Sequence, residues 1–389
     1  MLSLDVDPLD IRDSRLTSFV KLEKQDVGKA PRVINPRSPR YNLELGRYLK
    51  LAEHHYFTAI NKTFRSWTSH TVIKGLNADR SAEVMREKWD RFDSPVAIGL
   101  DATKFDMHVS ASMLKWEHSV YESMFNGDVE LSRLLSWQLS NTGRGFAHDG
   151  SLSYSVKGRR FSGDMNTALG NCLIMCGMIW SWCKSRNVEM ELANNGDDAV
   201  VIMDLKHLKS FSSGITEWFL KLGFRMVVES PVYSLEEIEF CQMHPVCVEG
   251  EYRMVRNFNT AREKDSICLL KIEKDTDWYK WLQTVGECGL ALTSGVPVVQ
   301  SYYAAMCRSG LPSRMKDAVI MQSGMAMLSR GMEVKYSVVQ DDTRLSFYKA
   351  FGVTPCEQVA LEKYYDALHI QFGGIEAVDN LEEIDSAPF

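Results

Sequence analysis

Apolar positions along the chain change period several times, and each change marks an element. From Tyr41 to Phe64 they recur at helical spacing among good helix formers, which predicts one or two helices. "PVAIGLD" (95–101) is a short apolar run ending in an acid, as a buried strand would be. "SASMLKWEHSVYESMF" reads as an amphipathic helix, and "MNTALGNCLIMCGMIWSWCK" as a largely buried one. "ELANNGDDAVVIM" joins two apolar runs through Asn-Gly and is the strongest hairpin signal present. A helix over 207–223, a strand in "FRMVVES" and an apolar pair around "IEFCQMHPVCV" follow. The remainder from about residue 255 reads as mostly helical, and residues 1–40 as loop and extended chain. This order predicts an α+β fold, with helices packed on one face of a small antiparallel sheet.

Composition changes this picture little. At 389 residues, 45% hydrophobic and 25% charged, the chain is an ordinary globular one with room for two or three subdomains. Nine cysteines without regular spacing fit a reducing compartment. The greasiest stretch, "CLIMCGMIWSWC", is too short to span a bilayer, so membrane attachment is expected to come from elsewhere.

Charge changes it more. The net value of −6 hides a split: residues 351–389 hold eight acids against Lys363, leaving residues 1–350 at about +1. Residues 21–50 carry eight bases against three acids. Lys21, Lys24, Lys29, Arg32, Arg37 and Arg40 lie on a segment stiffened by Pro31, Pro36 and Pro39. A restricted basic loop makes sense as a preorganised phosphate binder, with Arg32 offering a bidentate fork and Lys29 a point charge. Lys21, Lys24, Arg37 and Arg40 are candidate contacts for the phosphates of a nucleic acid. A solvated surface would have the same composition.

Asp197 and Asp198 follow the Asn-Gly turn, and two adjacent acids at a strand edge repel unless a cation neutralises them. Asp101 ends the strand 95–101, and a turn after it can return Asp106 to its side. Antiparallel pairing could bring Asp101 to Asp197, close enough to share two cations about 3.5–4 Å apart for in-line phosphoryl transfer. Mg²⁺ suits such ligands, with Mn²⁺ as a substitute. Alternation along a strand makes Asp198 the outer ligand. Ser162-Gly163 reads as a flexible turn, and Thr167 and Asn171 share a helical face where a hydroxyl and an amide could meet a ribose 2′-OH near Asp106.

These stretches together resemble the RNA-dependent RNA polymerases of the tombusvirus family. "KAPRVINPRSPRYNLELGRYL", "PVAIGLDATKFDMHVS", "SGDMNTALGNCLIMC", "ELANNGDDAVV" and "EFCQMHPV" occur in that family's order across roughly residues 18–270. The resemblance implies a right-hand fold: fingers over 1–95 and 111–160, palm over 96–110 and 161–250, thumb over 251–389 with an acidic tail. It implies that Asp101 and Asp197 bind the catalytic metals with Asp198 supporting. Asp106, Thr167 and Asn171 would sense ribose, Ser162-Gly163 would form a mobile loop, and Lys29, Arg32 and Ile34 would belong to the finger motif over the entry channel, with Lys29 and Arg32 facing the entering triphosphate. "EFCQMHPVCV" would support the nascent 3′ end. The implied partners are template and nascent RNA, nucleoside triphosphates and other replicase proteins, at membrane-associated complexes in the host cytoplasm.

Two departures qualify the likeness. Where related polymerases commonly carry a lysine after the Gly-Phe turn, "GFRMVVES" has Ser230, with Arg225 earlier, and arginine is a poor proton donor. The basic motif also lies near the start of the sequence, so the fingers are expected to be incomplete. The rival readings are a non-catalytic RNA-binding replication subunit and a reverse transcriptase. Clustered acids count against the first, and a 2′-OH-reading set against the second. Cys241, His244 and Cys247 lack an evident fourth ligand, and the bland reading is preferred there.

Overall fold

The structure, a computed structural model, describes residues 7–25, 28–64, 70–147, 150–312, 324–372 and 374–376. Asp379, Glu382, Glu383 and Asp385 of the acidic tail lie outside the described residues. Contacts divide the chain into two compact units: Met1–Leu22, Asp26–Lys74 and Phe92–Pro231 form the first, and Glu23–Gln25, Gly75–Arg91 and Val232–Phe389 the second.

The first unit is α+β. Its strands in chain order are β1 (Leu16–Val20), β2 (Val33–Ile34), β3 (Pro95–Ala102), β4 (Ser140–Ala147), β5 (Gly150–Lys157), β6 (Met190–Asn195), β7 (Asp198–Asp204) and β8 (Met226–Val228). Four of them make the expected antiparallel sheet, in the order β6-β7-β3-β8. Val96, Ile98, Leu100, Val201 and Met203 turn one face of that sheet into the main core. Ala97, Val200 and Ile202 on the other face are also buried. Burial on both faces explains why β7 reads as a continuous apolar run rather than an alternating one.

The hairpin is displaced by one residue from its expected turn. Asn195 pairs with Asp198, so the two turn residues are Gly196 and Asp197, not Asn195 and Gly196. Gly196 has φ +80°, which supplies the left-handed conformation a two-residue hairpin turn requires.

A second four-stranded sheet, ordered β2-β1-β4-β5, corrects the reading of residues 1–40 as loop and extended chain. β1 runs parallel to β4, and β4 and β5 form a hairpin. β5 is exposed or half-exposed along its whole length. With neither face buried, no apolar period forms to announce it.

Three helices complete the frame. α1 (Pro39–Thr63) is a single helix, capped by the Ser38 side chain with Pro39 at its first turn. α2 (Ala111–Met124) is capped by Ser110. α3 (Thr167–Ser185) buries residues all round, from Leu169 to Cys183, and forms the centre of the core. The segment 207–223, expected as one helix, breaks into Leu208–Ser212 and Ile215–Lys221 at Gly214, whose φ is +81°.

The second unit pairs β9 (Met243–Val248) with β10 (Glu251–Arg256) and β11 (His369–Gln371) with β12 (Gly374–Glu376), and is mostly helical elsewhere. α4 (Asp275–Thr293) and α5 (Val299–Ser309) pack closely, and Val246, Trp281, Val285, Tyr303 and Phe347 lie in their shared core. The helix Ala78–Trp89 packs on β10 and carries Asp79, which receives Arg253 Nε at 2.5 Å. Among the described residues no helix is long and apolar enough to cross a membrane.

Candidate active site

The acids gather at one end of the β6-β7-β3-β8 sheet. Leu100 of β3 stands opposite Ala199 of β7, so Asp101 comes one step beyond, toward the hairpin tip that carries Asp197 and Asp198. After β3 the chain turns through Lys104 at φ 52° into the short helix Phe105–His108. The Phe105 ring is buried against Phe224, centroids 4.8 Å apart, and pins that turn. Asp106 is thereby brought back toward the sheet end. Its carbonyl also receives the Arg160 N–H at 2.9 Å.

Asp106 has both carboxylate oxygens engaged. Asn171 Nδ2 donates to Oδ1 at 2.8 Å, and Ser162 Oγ donates to Oδ2 at 2.8 Å. The hairpin tip approaches the same helix: Gly196 N–H donates to Cys172 Sγ at 3.2 Å. Burial, reinforced by Asp198, Asp106 and Asp101, pushes the Asp197 carboxyl up to about 6. Asp197 therefore senses the charge of the other three acids.

Among the described residues, no three His, Cys, Asp or Glu side chains lie close enough to hold a metal ion. The expected trio of Asp101, Asp197 and Asp198 is thus not a preformed cage. Asp197 lies in the turn and Asp198 opens β7, so the two adjacent acids do not share one strand geometry. The donor chemistry still fits a hard divalent cation, because every candidate ligand is a carboxylate oxygen and Asp197 is destabilised by its neighbours.

The other expected residues divide into four groups. Ser162, Gly163 and Asn171 lie with Asp106. Asn35 N–H donates to the Ser162 carbonyl at 2.8 Å, and Asn42 Nδ2 to the Gly163 carbonyl at 3.2 Å, so the segment after β2 is bound directly to this loop. Lys21, Lys29 and Arg32 are exposed on the same stretch, and Lys21 N–H bonds the Arg32 carbonyl at 2.8 Å. The Thr167 hydroxyl donates to the carbonyls of Phe161 and Asp164, at 2.8 and 2.9 Å, and closes the loop that starts α3.

Three bases expected on an RNA-facing strip are committed elsewhere. Arg37 is buried, donating to Asp164 at 2.6 Å, the Ser14 carbonyl at 2.6 Å and Asn141 at 2.7 Å. Arg40 pairs with Asp7 at 3.1 Å and stands 3.5 Å from Asp13. Lys24 belongs to the second unit, half-buried over the Trp281 ring, and burial lowers its pKa. Composition cannot separate a base that faces water from one that braces a loop; only the groups opposite, Asp164 for Arg37 above all, reveal the difference.

Beneath Asn171 lies a polar network that residue spacing did not single out. Arg160 Nε donates to Asn171 Oδ1 at 3.2 Å, and Arg160 forms an ion pair with Glu117, both side chains fully buried. Glu117 also receives Tyr121 Oη at 2.8 Å and Asn166 Nδ2 at 2.9 Å. The available signal was an acid on the apolar face of α2. His244 is buried with Nδ1 against the Glu236 carbonyl at 3.1 Å, in keeping with the bland reading of that Cys-His-Cys stretch.

This end of the sheet therefore combines clustered carboxylates, an oriented Asp106 and an exposed basic segment joined to the same loop, as a site for a polyanionic substrate would. Residues 1–373 match the family of viral RNA-dependent RNA polymerases, and the chain belongs to that family. It is 43% identical to the RNA-directed RNA polymerase of Tobacco necrosis virus (strain A) over 98% of this chain and 53% of the relative. It is 44% identical to that of Cucumber necrosis virus over 99% of this chain and 47% of the relative. For the Turnip crinkle virus polymerase the identity is 43%, over 95% and 48%. The resemblance to tombusvirus polymerases therefore extends over nearly the whole chain, which spans about half the length of these curated relatives.

Proposed function

We propose that this chain is the catalytic core of a viral replicase, joining ribonucleotides on an RNA template by attack of a 3′-OH on the α-phosphate of a nucleoside triphosphate. The observation that supports it most is the Asp197 environment: a carboxyl raised to about 6 beside Asp198, Asp106 and Asp101. A cluster of acids without a cation repels RNA phosphates, so a binding role alone gains nothing from it. The reading takes the fold as a right hand, with the β6-β7-β3-β8 sheet as palm, flanking segments 1–95 and 111–160 as fingers and 251–389 as thumb.

Asp101 and Asp197, with Asp198 outside them, would hold Mg²⁺ or, as a substitute, Mn²⁺. The bound cation supplies charge neutralisation at the attacking and leaving oxygens. Lys29 and Arg32 bind the triphosphate, and their strand is held to the Ser162-Gly163 loop through Asn35. Asp106, with Asn171 and Ser162 on its two oxygens, meets the ribose 2′-OH. Base pairing, not the protein, selects sequence. Attachment to a membrane-associated replication complex in the host cytoplasm would come through other replicase segments or proteins.

The test is incorporation of labelled ribonucleotides on an RNA template with Mg²⁺ by the parent and by Asp197→Asn. Synthesis by the parent alone supports the reading. RNA binding without synthesis by either points to a binding subunit, and equal use of deoxynucleotides to a reverse transcriptase.

A further inference from the structure

Asn171 can face Asp106 in two ways that differ by a half-turn of its amide. In one the NH₂ group donates to the carboxylate; in the other two acceptors collide. The structure has the first, and the reason lies on the far side of the amide. Its oxygen is taken by Arg160 Nε, a donor that cannot become an acceptor. Arg160 is in turn fixed by Glu117, with neither side chain exposed. Glu117 is held by Tyr121 and Asn166, and Asn166 Oδ1 receives Gln138 Nε2 at 2.9 Å.

This arrangement is costly to keep. A Cβ on Gly170 would overlap both Arg160 and Glu117, so a glycine sits inside α3, where it is less favourable than alanine. Arg160 Nη1 is buried with no partner among the described residues. Well-packed apolar residues commonly replace a buried ion pair at no loss of stability. What apolar residues do not supply is a directional donor for the Asn171 oxygen.

We propose that Glu117 and Arg160 are positioning residues for sugar selection: their buried ion pair locks the Asn171 amide so that Asp106 is presented in one orientation to a ribose 2′-OH. The inference rests on the polymerase reading and deepens it. Neither residue touches the nucleotide. A site built to bond a hydroxyl rejects the analogue lacking it because the site's own polar groups are then left unpaired, and that penalty requires those groups to be fixed.

The experiment compares GTP with 2′-deoxyGTP in two assays, single-nucleotide incorporation on a primed RNA template and equilibrium binding by calorimetry. Arg160→Lys keeps a cation opposite Glu117 and lacks the Nε–H fork; it is expected to lower the GTP preference about tenfold while remaining folded by circular dichroism. Asn171→Ala is expected to do the same, and the double variant to fall no further. Glu117→Gln should follow Arg160→Lys. Ile179→Val, a core change on the same helix, should leave the preference unchanged, which separates positioning from general loosening. An unaltered preference in Arg160→Lys, additive losses in the double variant, or a parent without GTP preference in either assay overturns the inference. A parent that binds GTP selectively and makes no RNA overturns the polymerase reading instead, and the binding ratios still decide the role of the pair.

Discussion

The Gly196 N–H donates to the Cys172 sulfur over 3.2 Å, which clamps the tip of the β6–β7 hairpin to α3. The residue after Gly196 is Asp197 and the residue before Cys172 is Asn171, so one contact couples the two halves of the site. Burial pushes the Cys172 thiol up to about 11, so the sulfur is present as a neutral acceptor at physiological pH.

Cys172→Ala removes that acceptor and leaves a buried N–H unpaired. The expected cost is about 1–3 kcal/mol of stability, with a several-fold loss of synthesis rate at saturating nucleotide. Cys172→Ser, which retains an acceptor, should lose less rate. Denaturant unfolding and single-turnover incorporation check both; equal rates in the two variants would remove the clamp from the argument.

The raised Asp197 pKa has a stability consequence with a definite sign. A folded-state value of about 6 against the usual 3.8 means the folded chain holds this proton more tightly than the unfolded one. Stability that is present below pH 3.8 is lost as the pH rises through about 6. Above that, ionised Asp197 destabilises the metal-free fold by on the order of 3 kcal/mol. Asp197→Asn is therefore expected to melt higher than the parent at pH 7.5 without divalent cation, while abolishing synthesis. The gap should shrink below pH 6 and nearly vanish near pH 4. Added Mg²⁺ should raise the parent's melting temperature more than the variant's. Calorimetric scans across this pH range test each part.

Arg37 and Arg32 are five residues apart and should behave as opposites. Arg37→Ala leaves Asp164 buried without its cation, at an expected cost of about 3–5 kcal/mol, and its effect on RNA synthesis should follow from unfolding. Arg32→Ala, at an exposed position, should change stability by less than about 0.5 kcal/mol and raise the KM for nucleotide. Chemical denaturation paired with steady-state kinetics separates them. A folded Arg37→Ala chain with weakened RNA affinity would restore Arg37 to the binding surface.

How much of this was legible in the sequence depended on whether burial left a pattern. β3, β7 and α3 form the core, so their apolar runs announced them, and the acids at their ends followed from strand geometry. β5 buries little, and the buried positions of β4 are Asn141 and Gly143 rather than apolar side chains, so their pairing left no apolar period. The turn at Gly196-Asp197 was misplaced by one residue because Asn-Gly is itself a good turn pair; the register with Asp198 decides it. The Glu117–Arg160 pair was invisible for another reason. Its members are 43 residues apart and make sense only against each other. Thr167 shows the limit of helical spacing: it does share a face with Asn171, but at the helix start its hydroxyl is taken by the preceding loop's carbonyls.

Gly163 gives the last test, at the point where the basic segment meets the site. Its φ is +123°, a conformation that side-chain-bearing residues rarely adopt, and a Cβ there would lie 2.9 Å from both the N and Cα of Pro36. Those neighbours are backbone atoms, so neither a rotamer change nor truncation at Pro36 can relieve the contact. Relief would require moving the strand, which would stretch the 2.8 Å bond from Asn35 N–H to the Ser162 carbonyl. Ser162 is also the donor to Asp106, so the displacement would reach the acid proposed to meet ribose. Gly163→Ala is therefore expected to cost about 1–3 kcal/mol, raise the KM for nucleotide and lower the GTP preference together. Gly163→Ala combined with Pro36→Ala should recover none of this. Asn42→Ala, which removes only the 3.2 Å bond to the Gly163 carbonyl, should give a smaller loss of the same kind. Recovery in the Pro36 double variant would mean that the proline ring, and not the strand backbone, sets the approach of this loop.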